Sequence, residues 1–545
     1  RIALAKGRHG MDAADIYDFI VVGAGSAGCV LAHRLSADPR HRVLLLEAGP
    51  ADRNPWIHIP VGYFRTMYSS LSWGFQTEPE PGLDGRSIVW PRGKVLGGSS
   101  SINGLVYIRG QAEDFDHWRQ LGNPGWSFAD VLPYFRRAEH QERGADPFHG
   151  SGGPLGVSDL RLKHPICEAF IAAAEAAGIP RNADFNGASQ EGVGYFQLTT
   201  RDGWRASTAR EYLRPVRRRA NLTVETEALA ARVVLEGRRA VGVAYLRNGA
   251  ERVACARGEI VLCGGAINSP QLLQLSGIGP GALLQAHGIG VRQDLPGVGE
   301  CLQDHFQVRF VYRCPLPITF NDLARSPWRK LGVALEWLLR RSGPMTIGAG
   351  QVGLFCRTRP ELATPDIQFH MFPVSMDRPG GKFHDYPGIT SSICQLRPES
   401  RGWIRLKSPD PRAHPTIQAN YLATSGDQQT IVAGMKVARR IAAQAPLAPY
   451  IAEEMIPGAA HASDEALLAI ARRNGTTIFH PTSTCRMGPE GDALAVVDPE
   501  LRVRGIDRLR VADASVMPTV VSGNTNAACI MIGEKASDLL LAAAR

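Results

Sequence analysis

Residues 17–49 read YDFIVVGAGSAGCVLAHRLSADPRHRVLLLEAG. A short apolar strand from Asp18 to Val22 runs into a Gly-x-Gly-x-x-Gly turn at Gly23, Gly25 and Gly28. Helical spacing follows over residues 26–36, with Cys29, Val30, Ala32 and Leu35 free to pack. A second strand from Arg42 to Leu46 ends on Glu47. Each part constrains the fold. The first glycine permits the tight turn, the second lets backbone approach a pyrophosphate, and the third lets helix pack on strand. The helix N-terminus then faces the phosphates. Glu47 stands nineteen residues past Gly28, where an acid can accept both hydroxyls of a ribose. The motif predicts an α/β fold opening on a Rossmann-like dinucleotide-binding unit. By itself it permits NAD or FAD.

The chain has 545 residues, too many for one ordinary core, so two or three structural units are expected. Net charge is +9 and the pI about 9.1. The arginines fall in short clusters such as 217–219 and 439–440, with no basic arm and no interleaved aromatics. That pattern argues against nucleic acid and allows a weak attraction to anionic lipid. Ten cysteines show no CxxC and no regular spacing, and no His/Cys cluster has zinc spacing. No metal is expected. The first fifteen residues lack the apolar run of a signal peptide, and Met11 reads as a natural start. The expected location is the cytoplasm, with peripheral contact at the inner membrane face allowed.

A second glycine-rich stretch, WPRGKVLGGSSSINGLVYIRG, covers 90–110. Small residues there let a flat ring or a phosphate chain lie close to backbone. Residues 221–262 read as strands with hairpin turns at Glu236–Gly237 and Asn248–Gly249. GGAINSPQLLQLSGIGP, 264–280, reads as glycine turn then helix, stopped by Gly277–Pro280. The glycine motifs thin out over 313–400, where 366–373 and 389–396 read as strands. The apolar stretch from Trp328 to Leu339 is expected to be a core helix rather than a lid or a membrane-contacting helix. Motif density returns with HPTSTCRMG (480–488) and DASVMPTVVSGNTNA (513–527). A helix over 526–543 should begin in a capping neighbourhood formed by Gly523, Asn524 and Thr525.

Four separated motifs, GAGSAG with Glu47, GKVLGGSSSINGLVYIRG, GAINSPQLLQLSGIG, and HPTSTCRMG with DASVMPTVVSGNTNA, resemble those of the glucose–methanol–choline (GMC) flavin oxidoreductases, in the same order. The resemblance runs from about residue 15 to the end. It implies FAD, with the pyrophosphate held by Gly23, Gly25 and Gly28, and the adenosine ribose by Glu47. It implies Gly97, Gly98 and Asn103 beside the flavin, and Asp513 and Ala514 at the ribityl–phosphate region. Ser26, Ala27, Ala48, Ser99, Gly104 and Thr525 belong to the same implied cofactor contacts. It also implies His480 beside the flavin ring and Asn524 as its partner, which also touches the cofactor. The His/Asn pair is similar to the alcohol and choline branch of the family. Some relatives attach FAD through a histidine in the SSxN segment, where this chain has Ile102; non-covalent FAD is therefore expected.

The resemblance implies an FAD-binding part over 15–312, which includes segments that join the substrate domain, a substrate-binding α+β domain over 313–400, and a C-terminal part over 401–545 that carries the catalytic pair back to the FAD domain. The implied reaction oxidises an alcohol to an aldehyde or ketone, passing electrons to oxygen, a quinone or another carrier. The alternative within the same fold is a hydroxynitrile lyase or another non-redox or light-driven member. Arg486 is expected to pair with backbone or an acid rather than bind substrate, and Phe479 to be pocket wall or core.

Overall fold

The structure, a computed structural model, describes residues 16–377 and 380–544. The start read at Met11 lies outside the described residues. Strands β1 (Ile16–Val22), β2 (Val43–Leu46), β3 (Leu222–Glu225), β4 (Leu229–Glu236), β5 (Arg239–Arg247), β6 (Ala250–Leu262) and β7 (Leu509–Val511) form one sheet. Its spatial order is β3-β2-β1-β6-β5-β4, with β7 added beside β6. The β3-β2-β1-β6-β7 ladder is parallel, and β4-β5-β6 is an antiparallel meander. All four residues of β2 are buried, as expected of a parallel strand covered on both faces. Helix α1 (Ser26–Leu35) links β1 to β2, and α2 (Gly265–Leu275) follows β6. Two sheet strands therefore discharge through glycine turns into helices at one edge of the same cavity.

The second sheet is antiparallel throughout. Its order is Glu453–Ile456, Phe306–Arg313, Gly388–Gln395, Ile367–Phe372, Val352–Cys356, Gly192–Tyr195, with Thr476–Thr477 also pairing to Phe306–Arg313. The 366–373 and 389–396 strands are present, but the sheet is wider than 313–400. It draws strands from residues before 313 and after 400 because its neighbours pair across the chain. The segment Trp328–Leu339 does form a helix, α3 (Pro327–Arg340), but not a core helix. Trp328 is 82% exposed and Leu339 78%, and Leu331, Leu335 and Leu338 are exposed with them. Only Trp337 is buried, donating Nε1–H to Gly203 O at 3.1 Å. The amphipathic spacing is real, but among the described residues no other element covers its apolar face. Helix α4 (Ser425–Ala442) instead supplies the core packing: a Cβ on Gly434 would lie 2.7 Å from Ile393 Cγ2. Phe306, Val308 and Phe310 face that core, which leaves the alternate residues Gln307 and Arg309 on the opposite face.

Helix α5 (Asn526–Ala543) crosses against α1. Their close approach depends on Gly533, where a Cβ would lie 2.9 Å from Ala27 O. The fully buried Glu534 accepts from Arg34 and Arg137 at 2.8 Å and from the Tyr212 hydroxyl at 2.9 Å. A buried carboxylate is stable only when so partnered. The expected cap at the start of α5 is absent: Thr525 is helical and makes no side-chain cap bond. The first N–H groups of α5 are left to face the cavity described next.

Candidate active site

Between the two sheets runs a cavity with about 2260 Å³ free of protein atoms, mouth included. Gly23, Gly25, Ser26, Ala27, Glu47, Ala48, Gly98, Ser99, Asn103, Gly104, Asp513, Ala514, Asn524, Thr525 and His480 all line it. Gly28 and Gly97 do not; they build its wall from behind. A Cβ on Gly28 would lie 1.9 Å from Gly23 O, so this glycine serves helix–strand packing. Gly97 has φ +87° and donates its N–H to Ala24 O at 2.7 Å, pinning the second glycine loop to the first. Gly98, at φ +53°, lies so near that a Cβ would meet Gly25 Cα at 2.7 Å.

Glu47 braces the turn as well as facing the cavity. Its Oε2 accepts from Ala24 N–H at 2.9 Å and its Oε1 from Gly49 N–H at 2.8 Å. Burial pushes its carboxyl up to about 7 against those bonds. Each oxygen keeps a lone pair for a hydroxyl. Asp513 is used differently. Its carboxylate accepts from Gly265 N–H (2.8 Å), Ser269 Oγ (2.6 Å), Ser515 N–H (2.8 Å) and Ser515 Oγ (2.5 Å). The side chain thus holds the start of α2, and backbone is what it leaves for a ligand. Ser26 donates to Asn526 Oδ1 at 2.7 Å, joining the N-termini of α1 and α5. Asn103 Oδ1 accepts from Arg205 at 2.7 Å.

These residues fit FAD. A Cβ on Gly25 would meet only Cys263 O, at 4.0 Å, and one on Gly265 would meet nothing, so a side chain at either would fill cavity space. Neither α1 nor α5 has a side-chain cap, so two helix N-termini offer free N–H donors to a pyrophosphate.

His480 is 6% exposed at the far end of this cavity. Its backbone N–H donates to Asp304 Oδ1 at 2.7 Å. Asp304 Oδ2 accepts from Thr477 Oγ1 at 2.5 Å and from the Tyr421 hydroxyl. The stretch after His480 is laced along residues 514–516, through Ser483 N–H to Ala514 O, Cys485 N–H to Ser515 O and Met487 N–H to Val516 O. Arg486 pairs with Asp492 at 2.6 Å, the acid partner expected of it. Phe479 lines the cavity and is partly buried against a small apolar cluster.

Around His480 stand residues that the motifs did not single out. His305 Nδ1 is 3.0 Å from His480 Nδ1, and His305 Nε2 is 3.0 Å from Leu396 O. Asn524 Nδ2 is 3.2 Å from His480 Nε2, and Gln368 Nε2 donates to Asn524 Oδ1 at 3.2 Å. His370 lines the same cavity with neither ring nitrogen bonded. Burial pushes His305 and His370 down to about 4. It also holds His480 well below the ordinary imidazole value, with His305, His370 and Arg92 adding to the effect. The only sequence signals were the glycine-rich loop PGVGECLQDH, 296–305, that ends on His305, and the strand pattern over 366–373 that contains His370, a placement many core histidines share.

The family models for GMC oxidoreductase match residues 17–307 (N-terminal) and 398–533 (C-terminal). Mitochondrial choline dehydrogenase from Mus musculus is 46% identical over 534 residues, spanning 96% of this chain and 89% of that protein. Alcohol dehydrogenase [acceptor] from Pseudomonas putida is 45% identical, spanning 96% of both chains. Among solved structures, pyridoxine 4-oxidase from Mesorbium loti superposes with TM-score 0.87 at 32% identity, covering 96% of this chain and 98% of that one. Formate oxidase from Aspergillus oryzae superposes with TM-score 0.91 at 27% identity, covering 98% and 99%. With two glycine loops, two open helix ends and a buried His–Asn pair converging on one cavity, this chain belongs to the GMC oxidoreductase family and is an FAD-dependent oxidoreductase of alcohols.

Proposed function

We propose that His480 takes the hydroxyl proton of an alcohol at Nε2 while Asn524 orients the oxygen. The observation that carries this is the hydrogen-bond chain behind His480. A carbonyl only accepts, so His305 Nε2 bears the hydrogen that goes to Leu396 O. His305, pushed down to about 4, is neutral, and its Nδ1 is therefore bare. The hydrogen between the two Nδ1 atoms then belongs to His480. His480 is left with a bare Nε2, aimed at Asn524 and the cavity. A base so held is unprotonated at neutral pH and pre-aligned. The Asn524 amide, fixed by Gln368, donates to the same point and supports negative charge as it grows on the alcohol oxygen. FAD, when bound, supplies the two-electron acceptor for the hydride that leaves carbon.

Ile102 lines the cavity and offers no atom for a covalent link, which supports non-covalent FAD. Acid or urea denaturation followed by filtration checks this: flavin should pass the filter, and flavin retained on the protein would refute it. Helix α3 supports a peripheral contact with anionic lipid. Its apolar face is flanked by Arg329, Lys330 and Arg340, a pairing suited to a negatively charged membrane surface. The electron acceptor is oxygen, a quinone or another carrier, and re-oxidation in air separates the first from the rest.

The deciding experiment is anaerobic flavin reduction by alcohols in stopped flow. His480→Ala should slow reduction by about 10²- to 10⁴-fold, the usual contribution of a positioned base. Near-normal reduction in that variant would overturn the assignment.

A further inference from the structure

The second sheet presents a row of hydrogen-bond donors to the cavity. Arg309 pairs with Ser392 across one ladder, and Ser392 with His370 across the next. All three line the cavity. Arg309 Nε is sealed from solvent with no hydrogen-bond partner, and both nitrogens of His370, a residue only 3% exposed, are also unbonded. The groups that act on the Arg309 charge are the hydroxyls of Tyr68 and Tyr63, with no carboxylate among them. Only Glu47 and Asp513 are acidic among the described lining residues. Both are committed at the glycine-loop end, to the donors named above. A buried guanidinium without a counter-ion is costly, and its complement is an anion.

We infer that the Arg309–Ser392–His370 row receives a carboxylate of the substrate, so that this enzyme acts on hydroxy acids and discriminates against cationic alcohols. The inference rests on the alcohol-oxidising reading above and names its substrate class. The ladder register sets the geometry. Gln368, which holds Asn524, and Gln307 lie two residues along their strands from His370 and Arg309. On the strand backbone Arg309 therefore stands about 7 Å beyond Gln307. That spacing suits a short carbon chain between carboxylate and hydroxyl. Arg309 and Ser392 also fall between the stretches matched by the family models, 17–307 and 398–533. A trimethylammonium group placed there would meet a like charge with no carboxylate to hold it.

The test uses the FAD-loaded protein without oxygen. 4-Hydroxybutyrate, 5-hydroxyvalerate, 1-butanol and choline are compared as reductants of the flavin. Butyrate and tetramethylammonium are compared as binders through perturbation of the flavin absorption. The hydroxy acids should show the highest kcat/KM, with choline below 1-butanol. Arg309→Gln should lower the ratio of hydroxy acid to 1-butanol kcat/KM by about thirtyfold or more, the cost of removing one partner of a buried charge pair. Butyrate should bind the wild type and weaken in the variant by a similar factor. If Arg309→Gln does not fold, Arg309→Lys, which keeps the charge and loses the fork, should give a smaller loss of the same ratio. Choline as the best reductant, or an unchanged ratio in the variant, overturns the inference. Butyrate binding that depends on Arg309, with no alcohol reducing the flavin, supports the anion row and sinks the alcohol-oxidising reading instead.

Discussion

In the proposed mechanism a single proton decides the chemistry at His480. There His305 keeps it on Nδ1, which makes His305 a positioning residue rather than a group that touches substrate. His305→Ala should lower the limiting rate of flavin reduction by about 10- to 100-fold, the usual cost of losing an orienting partner, with a smaller change in KM. His305→Gln can accept from Nδ1–H and donate to Leu396 O, and should recover part of the loss; equal rates in both variants would argue against tautomer control. His370 gives a separate readout through stability. Its ordinary value is 6.5 and burial takes it to about 4 in the fold. Between those values the unfolded chain binds the extra proton, so the contribution of His370 is intact above pH 6.5 and lost as pH falls toward 4. Glu47 and Asp304, raised to about 7 and about 6 by burial, slope the other way, so total stability cannot isolate one residue. The difference between wild type and His370→Gln can. It should change by about 1.4 kcal/mol per pH unit across that window, against the wild type at low pH, in urea titrations of the holoprotein.

At the scale of elements, the cofactor cradle depends on turns that keep side chains out. Gly25 has ordinary backbone angles and an open Cβ direction, so Gly25→Val should fold. Its side chain would occupy the space beside the open end of α1. Overpacking of about 1–3 kcal/mol corresponds to FAD binding weaker by about 5- to 150-fold, measured by titrating the apoprotein with FAD. Gly28→Ala should behave differently. Its Cβ would strike Gly23 O at 1.9 Å, so the expected loss is in folding, seen as a lower thermal midpoint without added FAD. A variant pair with the opposite ranking would mean that the roles of the two glycines are reversed.

Across the whole molecule, α3 is the helix whose apolar face is left exposed by the described residues. Trp328, Leu331, Leu335, Leu338 and Leu339 share one exposed face, while Arg341 stacks on Trp337 and Trp204 at 4.3 and 4.6 Å and anchors the helix base. The triple variant Trp328→Ser, Leu331→Ser, Leu339→Ser should keep flavin reduction by a soluble alcohol and lose co-flotation with phosphatidylglycerol vesicles. Each large apolar side chain inserted is worth about 1.5–3 kcal/mol, so partitioning should fall by more than about a hundredfold. Equal flotation of both proteins would remove lipid as the partner of this face.

The glycine turns, the acid after the second strand and the His480 and Asn524 motifs were legible because each is local. A tight turn, a close backbone approach or a helix start needs specific residues at fixed short spacing, and that requirement is written along the chain. The Rossmann-like unit and the choice of His480 as candidate base followed from it. The state of that base did not. His305, Leu396, His480 and Asn524 come from separate segments, and only the pairing of strands and loops makes them one hydrogen-bond chain. Arg309 shows the same limit: its isolation depends on which faces of three strands meet the cavity. Helix α3 was misjudged for a related reason. Amphipathic spacing specifies a face that avoids water, and whether protein or another surface covers it is set by where the tertiary fold places the helix.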